Sequence, residues 1–116
     1  MKQTPLNKLK QKCVAKAIEI KLKITPYCEG CGAPAITAHH LVRQANSNYL
    51  RCSQSNLFST CKNCHCLAHS RGDMVAFGRA ILSRGKKWHE KLIKDSAIRI
   101  HDNISYWKKM YEELCL

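Results

Sequence analysis

"CKNCHCLAH", residues 61–69, sets three cysteines and two histidines within nine positions. The fold turns on what claims these side chains. One metal ion, two ions, or disulfide partners would each impose a different architecture. The spacing of the remaining cysteines narrows the choice.

The chain carries eight cysteines in 116 residues. Such a density can be a disulfide framework in a secreted protein. Here the N-terminal "MKQTPLNKLKQKCVAKAIEIKLK" is lysine-rich and lacks the apolar stretch and cleavage site of a secretory signal. A reducing cytoplasm is therefore expected, where thiols stay free or bind metal. Cys28-Glu29-Gly30-Cys31 and Cys61-Lys62-Asn63-Cys64 form two C-x-x-C pairs. Each pair makes a tight knuckle whose thiolates converge, and two knuckles complete a tetrahedral structural zinc site. Gly30 and Gly32 permit the turn. Cys13, Cys52, Cys66 and Cys115 are left as buried or idle thiols.

The length suits one small domain, residues 1–116, whose modest core a structural metal would help. No apolar run is long enough to span a bilayer, so no membrane is expected. The net charge of +12 is large for this length and calls for a polyanionic partner. Nucleic acid stands ahead of an anionic membrane in that reading. The lysines spread from Lys2 to Lys23, with a second basic group from Arg71 to Lys87.

Three segments follow from periodicity. Residues 1–26 predict a basic N-terminal helix, with Thr4-Pro5 at its start and Leu6, Leu9, Cys13, Ala17, Ile20 and Ile24 along one side. Thr25-Pro26 ends it. Residues 27–72 predict the zinc-bracketed core: a strand over 35–42, a polar loop over 43–55, a short strand over 56–60, and a helix over about 62–71. Gly72 and Asp73 then fit a helix stop and an N-cap. Residues 73–116 predict helices. Met74, Phe77, Ile81 and Leu82 give one apolar side, Trp88, Leu92 and Ile93 another, and Ile100 to Leu114 a C-terminal stripe. That stripe can pack internally or pair two chains into a homodimer. The fold class is α+β and mostly helical, a small zinc-stabilised finger flanked by helices.

His65 and His69 lie four apart on the predicted helix, so both imidazoles share one face. His39 and His40 are neighbours on the predicted strand and point to opposite faces. One can reach a metal while the other stands beside it as a base. His39, His65 and His69 would supply three nitrogen ligands and leave coordination positions open, as a catalytic site requires.

The pieces "CEGCG" (28–32), "AHHLV" (38–42) and "NLFSTCKNCH" (56–65) together resemble the HNH endonuclease family, whose core is a ββα-metal finger. The resemblance covers residues 28–71. It implies that His40 activates water and that Asn56 braces the loop holding this base. It implies His39 and His65 as catalytic metal ligands, with His69 a further ligand found only in some branches. Many members have aspartate where this chain has His39. An all-nitrogen set suits zinc or nickel more than magnesium, with manganese also among the candidates. Residues 50–85 are also similar in rhythm to phage recombination proteins of the NinG type, through "GDMVAF" (72–77). That implies a phage or prophage origin in a bacterial host, and duplex, branched or single-stranded DNA as substrate. Arg43, Arg51, Lys62 and Arg71 lie near the finger in sequence and are weak candidates for phosphate contacts.

A different class of function competes: a non-catalytic zinc module that binds DNA or RNA through the same cysteines and basic surface. A protein-recruiting zinc finger is a third, but it leaves the charge excess unexplained.

Overall fold

The computed structural model describes residues 3–70 and 74–116. Lys2, Arg71, Gly72 and Asp73, to which the sequence reading gave roles, lie outside the described residues. Helix α1 spans Pro5–Ile24, strand β1 Thr37–His40 and strand β2 Leu57–Thr60. A 3-10 turn, Gln54–Asn56, leads into β2. Helices α2 (Lys62–Ser70), α3 (Met74–Arg84), α4 (Lys86–Asp95) and α5 (Ile104–Leu114) complete the chain. Most of the described chain is helical, with a two-stranded antiparallel sheet.

Local signals set the ends of α1. The Thr4 hydroxyl accepts from the Asn7 amide at 3.1 Å, and Pro5 opens the first turn. The strand expected over 35–42 is shorter, because the chain leaves the sheet at residue 41. There the Leu41 amide donates to the Asn56 carbonyl, and the Val42 amide donates to the Asn56 side chain. Asn56, expected to open β2, instead closes the 3-10 turn.

β1 and β2 pair with Ala38 opposite Ser59 and His39 opposite Phe58. Alternation sends Ala38 and Leu57 into one core with Cys13, Ala17, Cys52 and Trp107. It sends Phe58 into a second core with Leu41, Leu50, Ala68, Ala76, Ala80 and Leu92. The sheet is therefore covered on both faces, and all of β2 is buried. The C-terminal stripe packs internally: Trp107, Tyr111 and Leu114 of α5 share a core with Cys13 and Ala17 of α1.

The expected sides of two helices hold in part: Cys13 and Ala17 of α1 are buried with Leu6 and Leu9 packed beside them, and Phe77 of α3 packs against the second core. α1 turns Lys10, Cys13, Ala17 and Lys21 inward and leaves Ile24 67% exposed. Each buried lysine has an acid: Lys10 pairs with Asp102 at 3.0 Å, and Lys21 with Glu29 at 3.4 Å. α3 buries the small Ala76 and Ala80 and leaves Met74 and Leu82 more than four-fifths exposed. Small residues let helices approach closely, which the size of an apolar side chain alone does not reveal.

Glu29, inside the first C-x-x-C turn, ties that turn to the rest of the molecule. Its carboxylate accepts from the Ser59 amide at 2.6 Å and pairs with Arg84 at 2.8 Å. Arg84 also donates to the carbonyls of Ser55 and Leu57 at 3.0 and 2.7 Å. Both side chains are largely buried. Removing one partner of such a pair leaves the other charge poorly solvated. Arg84→Met is expected to cost about 3 kcal/mol in urea unfolding, and Glu29→Gln less, since an amide still accepts from Ser59. A loss under about 1 kcal/mol for Arg84→Met would show that this network contributes little.

Candidate functional site

The two C-x-x-C turns meet. The sulfurs of Cys28, Cys31, Cys61 and Cys64 all lie within 4.8 Å of one another, an arrangement that can hold a metal ion. Cys31 Sγ and Cys61 Sγ are 3.6 Å apart. A disulfide requires about 2.05 Å. Two thiolates on one tetrahedral zinc, each at about 2.3 Å, would sit roughly 3.8 Å apart. The donor set and its spacing therefore fit a shared ion and not a disulfide.

Backbone geometry prepares these sulfurs. The Gly30 amide donates to Cys28 Sγ at 3.4 Å, and the Cys64 amide donates to Cys61 Sγ at 3.5 Å. The second contact makes Cys61 the cap of α2, where the helix dipole favours negative charge. Burial pushes the Cys28 thiol up, but the backbone amides of Cys61, Gly30 and Cys31 outweigh it and bring it down to about 6. Burial and then the neighbouring thiols push Cys64 up to about 12. Gly32 has a φ of 82°, the left-handed conformation that closes the first turn. Gly30 lets Arg79 come close: a Cβ there would stand 2.7 Å from the guanidinium and would make that flexible side chain shift. That guanidinium reaches Cys64 Sγ at 3.6 Å, setting a positive charge against the sulfur cluster.

A second cluster lies one turn along α2. The ring nitrogens of His39, His65 and His69 are within 4.8 Å of one another. His65 Nε2 and His69 Nε2 are 3.0 Å apart, and the His39 ring stands edge-on to both. Adjacent ligands about 2.1 Å from one ion would be separated by about 3.0–3.4 Å, so this set too fits a single cation. The helical spacing of 65 and 69 and the strand position of 39 bring the three together.

His40 stands apart from that trio yet opens on the same cavity of about 550 Å³. Its Nε2 lies 2.8 Å from the Arg51 carbonyl oxygen. A carbonyl only accepts, so Nε2 carries the proton and Nδ1 is the basic nitrogen of the neutral ring. Burial lowers the pKa of His40 and favours the neutral ring, outweighing the hydrogen bond to the Arg51 carbonyl, which pulls the other way.

Asn56 is fully buried and holds the loop that supplies this carbonyl. Its side chain accepts from the Val42 amide at 2.7 Å and donates to the carbonyls of Val42 and Leu50 at 3.0 and 3.1 Å. Among the arginine and lysine candidates, exposed Arg43 lines the histidine cavity, and Lys62 is exposed at the start of α2. Arg51 directs its guanidinium into the loop, onto Gln44 and Asn48. Arg71 lies outside the described residues. Cys66 and Cys115 are exposed, and Cys13 and Cys52 buried.

Several residues at the site carry no signal in the sequence. Ile18 and Gln44 line the histidine cavity, and Arg79 backs the cysteines. Ile18 and Arg79 arrive through tertiary packing from other helices, and Gln44 lies in the irregular loop after β1, so no periodic spacing marks them. Comparison of the chain with protein-family models, curated proteins and solved structures gives no match.

Asn56→Ala is expected to lower stability by about 2–4 kcal/mol, since it strands several buried backbone groups at once. Hydrogen exchange at the Val42 amide should quicken beyond the global change. An unchanged Val42 rate at equal stability would contradict the brace.

Proposed function

We propose that the chain is a metal-dependent endonuclease of the HNH kind that hydrolyses phosphodiester bonds in DNA. One observation carries the reading: His40, its Nε2 committed to the Arg51 carbonyl, faces the same cavity as the His39, His65 and His69 trio. In this reading Cys28, Cys31, Cys61 and Cys64 hold structural zinc, and the trio holds a divalent cation. When bound there, the cation supplies Lewis-acid stabilisation of charge on the phosphate and the leaving oxygen.

The proton chemistry belongs to His40. Its Nδ1 takes a proton from the attacking water, and the Arg51 carbonyl keeps the ring oriented as it charges. Attack at phosphorus with departure of the 3′ oxygen leaves 5′-phosphate and 3′-hydroxyl ends. Arg43, at the cavity, is suited to neutralise a neighbouring phosphate, with Lys62 nearby on α2. Three neutral imidazoles favour zinc or nickel over magnesium. The charge of +12 supports a nucleic-acid partner, and no described helix is long and apolar enough to cross a membrane.

Supercoiled plasmid and a branched oligonucleotide are the substrates for the test. Wild type and His40→Ala are stripped of metal and resupplied with magnesium, manganese, nickel or zinc. Metal-dependent nicking should fall by roughly 10²–10⁴-fold in the variant. If both proteins shift DNA and neither cuts it under any ion, a non-catalytic zinc module replaces this reading.

Metal content gives an independent check. Native mass spectrometry should find two ions on the wild-type chain and one on the His65→Ala/His69→Ala double variant. A single ion on both proteins would remove the histidine site.

A further inference from the structure

We infer that Arg51 is a positioning residue for His40, acting by holding the shape of the loop over residues 41–56. The inference rests on the reading of His40 as the base. The backbone carbonyl that fixes the His40 ring belongs to Arg51 itself, so whatever immobilises Arg51 immobilises the ring.

The Arg51 side chain is spent inside its own loop. Nε and Nη2 both donate to Asn48 Oδ1, at 3.2 and 3.0 Å. Nη1 donates to Gln44 Oε1 at 3.1 Å, and Nη2 to the Gln44 carbonyl at 3.0 Å. The Arg51 amide adds a bond to the Asn48 carbonyl at 3.3 Å. The guanidinium therefore spans two loop residues at once, which a planar fork can do and an ammonium cannot. Every one of these acceptors is neutral.

The clamp reaches a part of the loop that Asn56 does not. Asn56 bonds Val42 at the start of the loop and Leu50 beyond its middle. Arg51 bonds Gln44 and Asn48, between them. Together the two side chains leave the Arg51 carbonyl little freedom to move off the ring. A carbonyl displaced by an ångström would release the proton from Nε2 and let the two tautomers mix. The same clamp places Gln44 against the histidine cavity.

The experiment reads the tautomer directly. Long-range ¹H–¹⁵N correlation on histidine-labelled protein shows which ring nitrogen carries the proton, with His40→Ala providing the assignment. Wild type should show one His40 form, protonated at Nε2. Arg51→Lys, which keeps the charge and loses the fork, should show mixed tautomers. Asn48→Ala, which keeps the arginine and removes two of its bonds, should do the same. Turnover should drop roughly ten- to a hundredfold in both, the usual range for loss of a supporting hydrogen-bond partner, with KM for DNA unchanged.

A phosphate-contacting Arg51 gives a different pattern. Arg51→Ala would then weaken DNA binding and make its salt dependence shallower by about 0.9. His40 would keep its single tautomer in all three variants, and that result overturns the inference. Should an Arg51 variant fail to fold, Asn48→Ala decides alone. The tautomer readout needs no cleavage, so an inactive wild type would remove the nuclease reading while the positioning role is still decided.

Discussion

Convergence of four sulfurs within one small volume is the constraint on which the rest of the molecule depends. Two strands of four residues each make a sheet too small to stand alone. The cysteines enclose it, one pair before β1 and the other directly after β2. The second pair also starts α2, because Cys61 caps that helix with its sulfur. Glu29 extends the same constraint outward, joining the first turn to β2, α1 and α3. Thus the knuckles order the sheet, the sheet carries His39 and His40, and the helix carries the opposing histidines.

Charge is distributed unequally around this frame. Lys10, Lys21 and Arg84 are buried or nearly so and have carboxylate partners, so they contribute to cohesion. Most of the remaining lysines lie on the surface. Arg43 is the exposed arginine that lines the histidine cavity. The surplus therefore acts outward, as a positive field at the surface. Arg79 faces the sulfur cluster and offsets locally the negative charge that thiolates would gather there.

Much of this was legible in the sequence because it is written in short-range spacing. C-x-x-C turns, a helical i to i+4 histidine pair, and Thr-Pro at a helix start all act within a few residues. The order of elements followed from them. The buried sides of α1 and α3 were legible only in part, for a physical reason. Apolarity marked Cys13, Ala17 and Phe77 correctly but also Ile24, Met74 and Leu82, whereas packing favoured the small Ala76 and Ala80 and lysines whose acids lie outside the helix. The loop over 43–55 read as irregular because its order comes from side-chain hydrogen bonds, which leave no periodic trace. Arg51 could pass for a surface cation until its partners at 44 and 48 were seen around it.

Cys64 and His65 are consecutive residues of α2, one belonging to the sulfur cluster and the other to the histidine trio. Ligands held at both clusters would therefore be in thermodynamic linkage. Any ligand that grips Cys61 and Cys64 fixes the first turn of α2 and lowers the entropic cost of bringing His65 and His69 to a common point. By reciprocity, an ion held by the histidines would raise affinity at the cysteines by the same factor. Were both clusters to hold ions, a nine-residue helix shared in this way would make their occupancy cooperative without any change of shape elsewhere.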